Sequence, residues 1–320
     1  MKKFLITGAL GQIGTELTLH LRRKYGEGNV IASDVRDKSR CPESISATGP
    51  YEVLDVRDIG SFSSVVSRYK VNCILHLAGI LSANAEKNPQ LAWEINTNGL
   101  YNALEISRQL ECSIFFPSSI AAFGPSTPRD NTPQITIQRP STIYGITKVT
   151  GELLCDYYHN KYGIDTRGVR FPGLISHQTL PGGGTTDYAV HIYYEALRTG
   201  TYECFIQKGT FMDMMYMPDA LDAVLQLLEA DPSRLINRNA YNISSMSFDP
   251  EEIAISIRKN IPDFEMQYNV DPVRQGIAES WPNSLDVSAA RDEWDFSPRY
   301  DLDSMTIDML EKLRIKLAKH

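Results

Sequence analysis

Short apolar runs and amphipathic stretches alternate along the first half of the chain. Phe4–Thr7 is apolar and stops at Gly8; Thr15–Tyr25 follows, with Leu17 and Leu21 continuing from Ile13 at helical spacing. The same logic predicts strands at Asn29–Ser33, Tyr51–Leu54, Cys73–Leu77, Ser113–Phe116 and Thr166–Arg170, and helices at Ser61–Tyr69, 89–110 and Ser141–Lys161. Cys73–Leu77 is almost continuously apolar, the mark of a strand buried on both faces in a parallel sheet. Strand and helix alternating in this way predict an α/β fold, a doubly wound parallel sheet. After Phe171 the pattern loosens around Pro172, Gly173, Pro181 and the glycines 182–184. Less regular helices are predicted at 187–199, 218–230, 249–260 and 301–318, with no clean linker. The chain thus divides into residues 1–171, carrying the sheet, and a smaller lobe, 172–320, partly interleaved with it.

Composition narrows the function classes. A net charge of −7 with no basic run argues against a nucleic-acid partner. The five cysteines are odd in number and scattered without a Cys-x-x-Cys, which reads as reduced thiols, not a disulfide frame or zinc site. The histidines share no metal-ligand spacing, so no metal is expected. No stretch has the roughly 20 apolar residues of a membrane span. The opening Lys2-Lys3-Phe4-Leu5-Ile6 mimics a leader, but glycines at 8, 11 and 14 break its apolar region, and a first strand explains it better. The expected location is the cytoplasm of a bacterium, or the mitochondrial matrix for a eukaryotic chain already stripped of a targeting peptide.

Chemistry enters with Gly8-x-x-Gly11-x-x-Gly14, set between a predicted strand and helix. Glycines there let the backbone turn tightly and approach a pyrophosphate, which the helix N-terminus meets with free amides. Asp34, 20 residues past Gly14, is placed to accept from ribose hydroxyls and to repel a 2′-phosphate, favouring NAD over NADP; Arg36 is the one dissenting residue. Residues 1–171 therefore read as a Rossmann NAD-binding domain. Asp55 can reach the adenine edge or cap the following helix. Leu77, Ala78 and Gly79 end the fourth strand with small residues against which a cofactor can lie. Tyr144 and Lys148 stand four apart, on one face of a helix. An ammonium held near a phenol lowers the tyrosine pKa and makes a general acid–base for an alcohol.

With these residues in place the chain resembles the extended short-chain dehydrogenase/reductase family over nearly its full length. The features are the glycine loop, Asp34, Leu77-Ala78-Gly79, Asn96, Pro117-Ser118-Ser119 and Tyr144-x-x-x-Lys148. The resemblance implies Tyr144 as acid–base, Lys148 on the nicotinamide ribose and Ser119 orienting the substrate oxygen. Cofactor contacts are expected from Gly8, Gly11, Gln12, Ile13, Gly14, Asp34, Asp55, Val56, Leu77, Ala78, Gly79, Asn96, Tyr144, Lys148 and Pro172. It also implies a homodimer in which 89–110 and 142–161 pair with their copies in a four-helix interface.

Two subgroups compete. Nucleotide-sugar epimerases carry an asparagine three residues after the arginine of the sixth strand, and a later Arg-Asp-Tyr-Ile-His-Val segment; asparagine and arginine hold the diphosphate. Here those places are Gly173 and Met212. The segments Leu81-Ser82-Ala83, Pro172-Gly173-Leu174-Ile175-Ser176, Leu180–Ala189 and Ser280-Trp281-Pro282 instead resemble the short-chain L-threonine 3-dehydrogenases. That resemblance implies oxidation of the L-threonine 3-hydroxyl by NAD. Gly184, Thr185, Thr186 and the amides of 182–184 are expected to bind the carboxylate, with Ser82, Ser119 and Tyr144 at the hydroxyl. Trp281 either closes over the substrate methyl or is a core aromatic. Asp187 either pairs with the ammonium or N-caps the next helix. A non-catalytic NAD sensor is the reading of a different class, and the acid–base residues speak against it.

Overall fold

The computed structural model describes residues 2–179 and 184–318. Strand residues of alternating direction build two separate cores. In β1 (Phe4–Thr7), Phe4 and Ile6 face one layer and Leu5 the other; in β4 (Cys73–His76), Cys73 and Leu75 oppose Ile74 in the same way. The first layer holds the helices Gln12–Tyr25, Met217–Glu229 and Ser288–Trp294, and the second Ile59–Tyr69, Gly99–Leu110 and Ile143–Tyr162. Between them lies a seven-stranded, all-parallel sheet. From one edge it runs β3 (Tyr51–Val53), β2 (Val30–Asp34), β1, β4, β5 (Ser113–Ser119), β6 (Thr166–Phe171) and Tyr241–Asn242. The doubly wound sheet read from the sequence is this one, with a seventh strand added from far along the chain.

Boundaries moved where tertiary pairing overrode local pattern. Pairing to β6 carries β5 on to Ser119, past Pro117, although β4 leaves β5 after Leu75↔Phe115. A proline is tolerated there because only one neighbour remains. Residues 89–110 are helical throughout, but Glu94–Asn98 forms a π-turn between Pro89–Trp93 and Gly99–Leu110. After Phe171, the helices Tyr188–Arg198, Pro250–Arg258 and Leu302–Leu317 enclose a third core with the strand Met212–Tyr216. Two short antiparallel or parallel ladders, Met212–Tyr216 with Met246–Phe248 and Gly173–Ile175, sit beside the main sheet.

Candidate active site

The candidate site lies at the carboxyl ends of the sheet strands, where β1 and β4 diverge in connection and leave a crevice. Gly8 follows β1 at φ +66°, and a Cβ there would lie 2.8 Å from the Ala78 backbone. A Cβ on Gly14 would stand 2.2 Å from the Gly8 carbonyl oxygen. Only glycine allows this packing of loop, helix and β4 end. The helix Gln12–Tyr25 opens at Gly11 with no side-chain cap and no acid in its first turn, so its amides are free for an anion. Gln12 brings a buried Nε2 without a protein partner to that rim, and Ile13 packs under it. Asp34 is buried at the end of β2, accepting from Leu10 N–H at 3.1 Å and Arg36 N–H at 3.2 Å. These features fit a dinucleotide.

Several expected cofactor residues also serve the protein itself. Asp55 caps no helix with its side chain and stays partly exposed just after β3. Its carboxylate holds Arg57 at 2.6 Å, and Asp58 caps Ile59–Tyr69 instead. Val56 packs its side chain into the core under Gly99. Asn96 sits on the π-turn and is a brace: its carboxamide binds both main-chain groups of Ile80, at 2.7 and 3.1 Å, and Thr147 at 3.2 Å. It thereby ties the loop after β4 to the helix of Tyr144. Pro172 is buried directly after β6.

Tyr144, Lys148 and Ser119 converge as expected, but the electrostatics differ from the expectation. Thr142 caps Ile143–Tyr162 by accepting from Gly145 N–H, and the helix sets Lys148 Nζ 5.4 Å from the Tyr144 ring centroid. The ammonium donates to the Pro117 carbonyl at 2.6 Å, 4.8 Å from the Phe116 ring centroid. Both residues keep an edge open to the cleft, while their ionisable atoms are surrounded by protein. Burial pushes the phenol up to about 12, with the Ser119 hydrogen bond opposing, and it pushes Lys148 down to about 8. The lowered tyrosine pKa read from the four-residue spacing is therefore corrected for the protein alone: desolvation outweighs a neighbouring charge that points at a carbonyl. Ser119 Oγ also accepts from Ala121 N–H at 3.2 Å, which fixes its rotamer at the strand end.

Beside the phenol lies an apolar wall of Ile120, Phe123, Ile277, Leu285 and Trp281, with Tyr144 packed against it. Trp281 is thus both core aromatic and neighbour of the acid–base. Ser82 is buried at the start of Ser82–Lys87, a helix packed on the one bearing Tyr144, where Glu86 accepts from Ile143 N–H at 2.7 Å. Thr185 is buried, its Oγ1 without a partner among the described residues. Asp187 does not cap Tyr188–Arg198 with its side chain; it accepts from Gly184 N–H at 2.6 Å and shapes the turn. Leu180, Pro181, Gly182 and Gly183 lie outside the described residues. Thr186 packs on Gly173, where an added Cβ would meet it at 2.7 Å and Met214 Sδ at 2.3 Å. The room an asparagine side chain needs at 173 is filled.

Sequence reading missed a buried polar network behind the site. Glu152 takes both Nε (3.0 Å) and Nη2 (2.8 Å) of Arg170, together with the Ser118 hydroxyl and Gln138 Nε2. Arg170 continues to the Gln134 carbonyl and Asn242. Both charges are buried, and losing one partner of such a pair typically costs about 3–5 kcal/mol. The signal was available: Glu152 follows Tyr144 and Lys148 at i+8 and i+4, on the same helix face. Asp213 was also overlooked. It is buried, accepts from Leu285 N–H at 2.9 Å and from the Ser244 hydroxyl, and burial pushes its carboxyl up to about 8.

The fold and the glycine-loop crevice define a dinucleotide-dependent enzyme. Residues 4–244 match the NAD dependent epimerase/dehydratase family, and the chain belongs to it, with NAD as cofactor. An uncharacterised epimerase/dehydratase of Staphylococcus saprophyticus is 58% identical over 99% of this chain and 98% of its own length. Among solved structures, the L-threonine dehydrogenase of Clostridium difficile superposes with a TM-score of 0.96 at 62% identity, covering 99% of this chain and 98% of that one. A monomeric L-threonine 3-dehydrogenase of metagenomic origin gives 0.93 at 45%, covering 98% and 99%.

Proposed function

We propose that this protein oxidises the 3-hydroxyl of L-threonine with NAD, giving 2-amino-3-oxobutanoate and NADH. The observation that carries this over sugar-nucleotide epimerisation is the packing at Gly173: Met214 and Thr186 occupy the place of a diphosphate ligand, and Met212 is a core residue. The names of the structural relatives point the same way.

The glycine loop, Asp34 and Lys148 would hold NAD, and Asn96 would keep the loop after β4 in place. Bound NAD supplies a hydride acceptor for the substrate Cβ hydrogen and a ring positive charge that favours the phenolate. Ser119 Oγ donates to the alcohol oxygen and sets it against the phenol. Tyr144, as phenolate, takes the hydroxyl proton; Lys148 keeps a cation beside it. Gly184, Thr185 and Thr186 receive the carboxylate, and Trp281 bounds the methyl. None of these steps needs a metal.

Helix Ile143–Tyr162 bears a second, outward stripe of Ile146, Leu153 and Tyr157 at i, i+7 and i+11, all exposed, with Tyr101 exposed on the neighbouring helix. A helix apolar on both faces fits a homodimer seam. The working location is the cytoplasm, in keeping with a bacterial relative.

NADH formation with L-threonine and other 3-hydroxy amino acids, together with product analysis on UDP-sugars, whose epimerisation returns the hydride and leaves no net NADH, tests the reading. Turnover is expected with L-threonine, and Tyr144→Phe should lower kcat about 10²–10⁴-fold while NADH still binds. Turnover of a UDP-sugar but not of L-threonine would move the protein to the epimerases.

A further inference from the structure

The helix that opens the cofactor site carries a buried carboxyl that the proposed chemistry does not use. Glu16 lies in its second turn, two residues past Gly14, and is 3% exposed. Its carboxyl leaves the cofactor loop behind and reaches the other half of the protein. The Ser176 hydroxyl donates to Oε1 at 2.5 Å, and the main-chain N–H and hydroxyl of Thr179 favour its charged form. Ser176 Oγ in turn accepts from Gln178 N–H at 3.0 Å. These residues form the stem that leads from Gly173–Ile175 into the glycine-rich block with Gly184, Thr185 and Thr186.

The stem is gripped from its far side too. Lys316, on Leu302–Leu317, donates to the carbonyls of His177 (3.1 Å) and Gln178 (2.8 Å) and to Tyr194. The His177 ring meets the Tyr216 hydroxyl at 2.8 Å, which donates to Asp308 at 2.6 Å. An acid placed here is held against the cost of burial, which raises Glu16 to about 7 even with Lys316 attracting its charged form. An apolar residue would pack without that cost but could not bind the stem.

We propose that Glu16 is a positioning residue that couples dinucleotide binding to substrate binding, by tying the Ser176–Thr179 stem of the carboxylate-binding segment to the helix that receives the pyrophosphate. This rests on the L-threonine reading above. Phosphates fix the helix end, Glu16 fixes the stem to the helix, and the strand Gly173–Ile175 that leads into the stem holds Thr186 against Gly173 before the amino acid arrives. Each ligand then lowers the ordering cost of the other. Coupling of this kind is reciprocal, so it can be read from either ligand.

NADH fluorescence titrations with and without saturating L-threonine measure it, because NADH cannot accept a hydride and the mixture does not turn over. In the unmutated protein, L-threonine should tighten NADH about fivefold or more. In Glu16→Ala, and separately in Ser176→Ala, NADH alone should bind within about twofold of normal while the tightening falls toward one. The double variant should lose no more than either single one. Ser176→Ala leaves the buried helix untouched, so it decides the matter if Glu16→Ala does not fold. Tightening that persists in Ser176→Ala, no tightening in the unmutated protein, or an equal loss of affinity for NADH alone would each overturn the proposal. Turnover of L-threonine with NAD, measured first on the same preparation, separates the two failures. Its absence sinks the substrate reading, whereas turnover with uncoupled titrations sinks only the role of Glu16.

Discussion

Asp34 has two tasks that pull on one carboxylate. On the proposed reading it meets the ribose, and it also holds the glycine loop through Leu10 N–H, while Arg36 Nη1 is bound back to the Leu10 carbonyl at 2.8 Å. The arginine that would welcome a 2′-phosphate is thereby hooked to the loop. Asp34→Ser should narrow the NAD-to-NADP ratio of kcat/KM by about tenfold or more, some 1.4 kcal/mol or greater. It should also weaken NAD, since the loop loses an acceptor. An unchanged ratio in steady-state assays with both cofactors would show that selectivity lies elsewhere. The placement of Tyr144, Lys148 and Asp34 was legible because their spacing along strand and helix fixes their direction, whereas Ser119 was expected from family resemblance alone. The direction of the tyrosine pKa was not legible, because burial is set by Trp281, Leu285 and other residues more than a hundred positions away. Asn96 was found, but its bonds to Ile80 and Thr147 were not legible: spacing marks a polar residue near the loop, not which protein partners its carboxamide takes.

At the level of elements, the parallel sheet was readable because its strands are unbroken apolar runs followed by amphipathic helices. The strands after Phe171 were not. Gly173–Ile175 has three residues, and Met212–Tyr216 is buried on both sides and rich in methionine, so neither shows alternation. Asp213 is the second residue of Met212–Tyr216, and its titration reports on that strand. A carboxyl raised to about 8 in the folded chain binds a proton that the unfolded chain, near 3.8, has released. Stability from this group is therefore fully present below the unfolded value and declines as pH rises toward the folded one. Asp213→Asn keeps an acceptor for Leu285 N–H and removes the titration. Between pH of about 5 and about 8, the unmutated protein should lose about 2–5 °C of Tm relative to the variant. Parallel melting curves across that range would refute the protonated state.

At the scale of the whole molecule, the outward stripe on Ile143–Tyr162 is a candidate partner surface. Leu153 is 61% exposed at its centre, and a charge there cannot be buried without cost. Leu153→Glu should leave the melting temperature nearly unchanged while sedimentation shifts from dimer to monomer. A single species of monomer mass in the unmutated protein would remove the dimer proposal. The site faces away from this stripe on its helix, so the monomeric variant should keep measurable turnover.

The seventh strand sets the order in which the protein can be made. Tyr241–Asn242 pairs with β6 through Val169 and Arg170, and Arg167 reaches across to the carbonyls of Leu227 and Ala230. A chain leaving the ribosome has finished β6 roughly 70 residues before that partner exists, an interval of roughly 4–14 s at usual translation speeds. Through it the newest strand of the sheet offers unpaired amides and carbonyls to any neighbour. The edge of β6 thus stays open to mispairing for as long as synthesis of its partner takes.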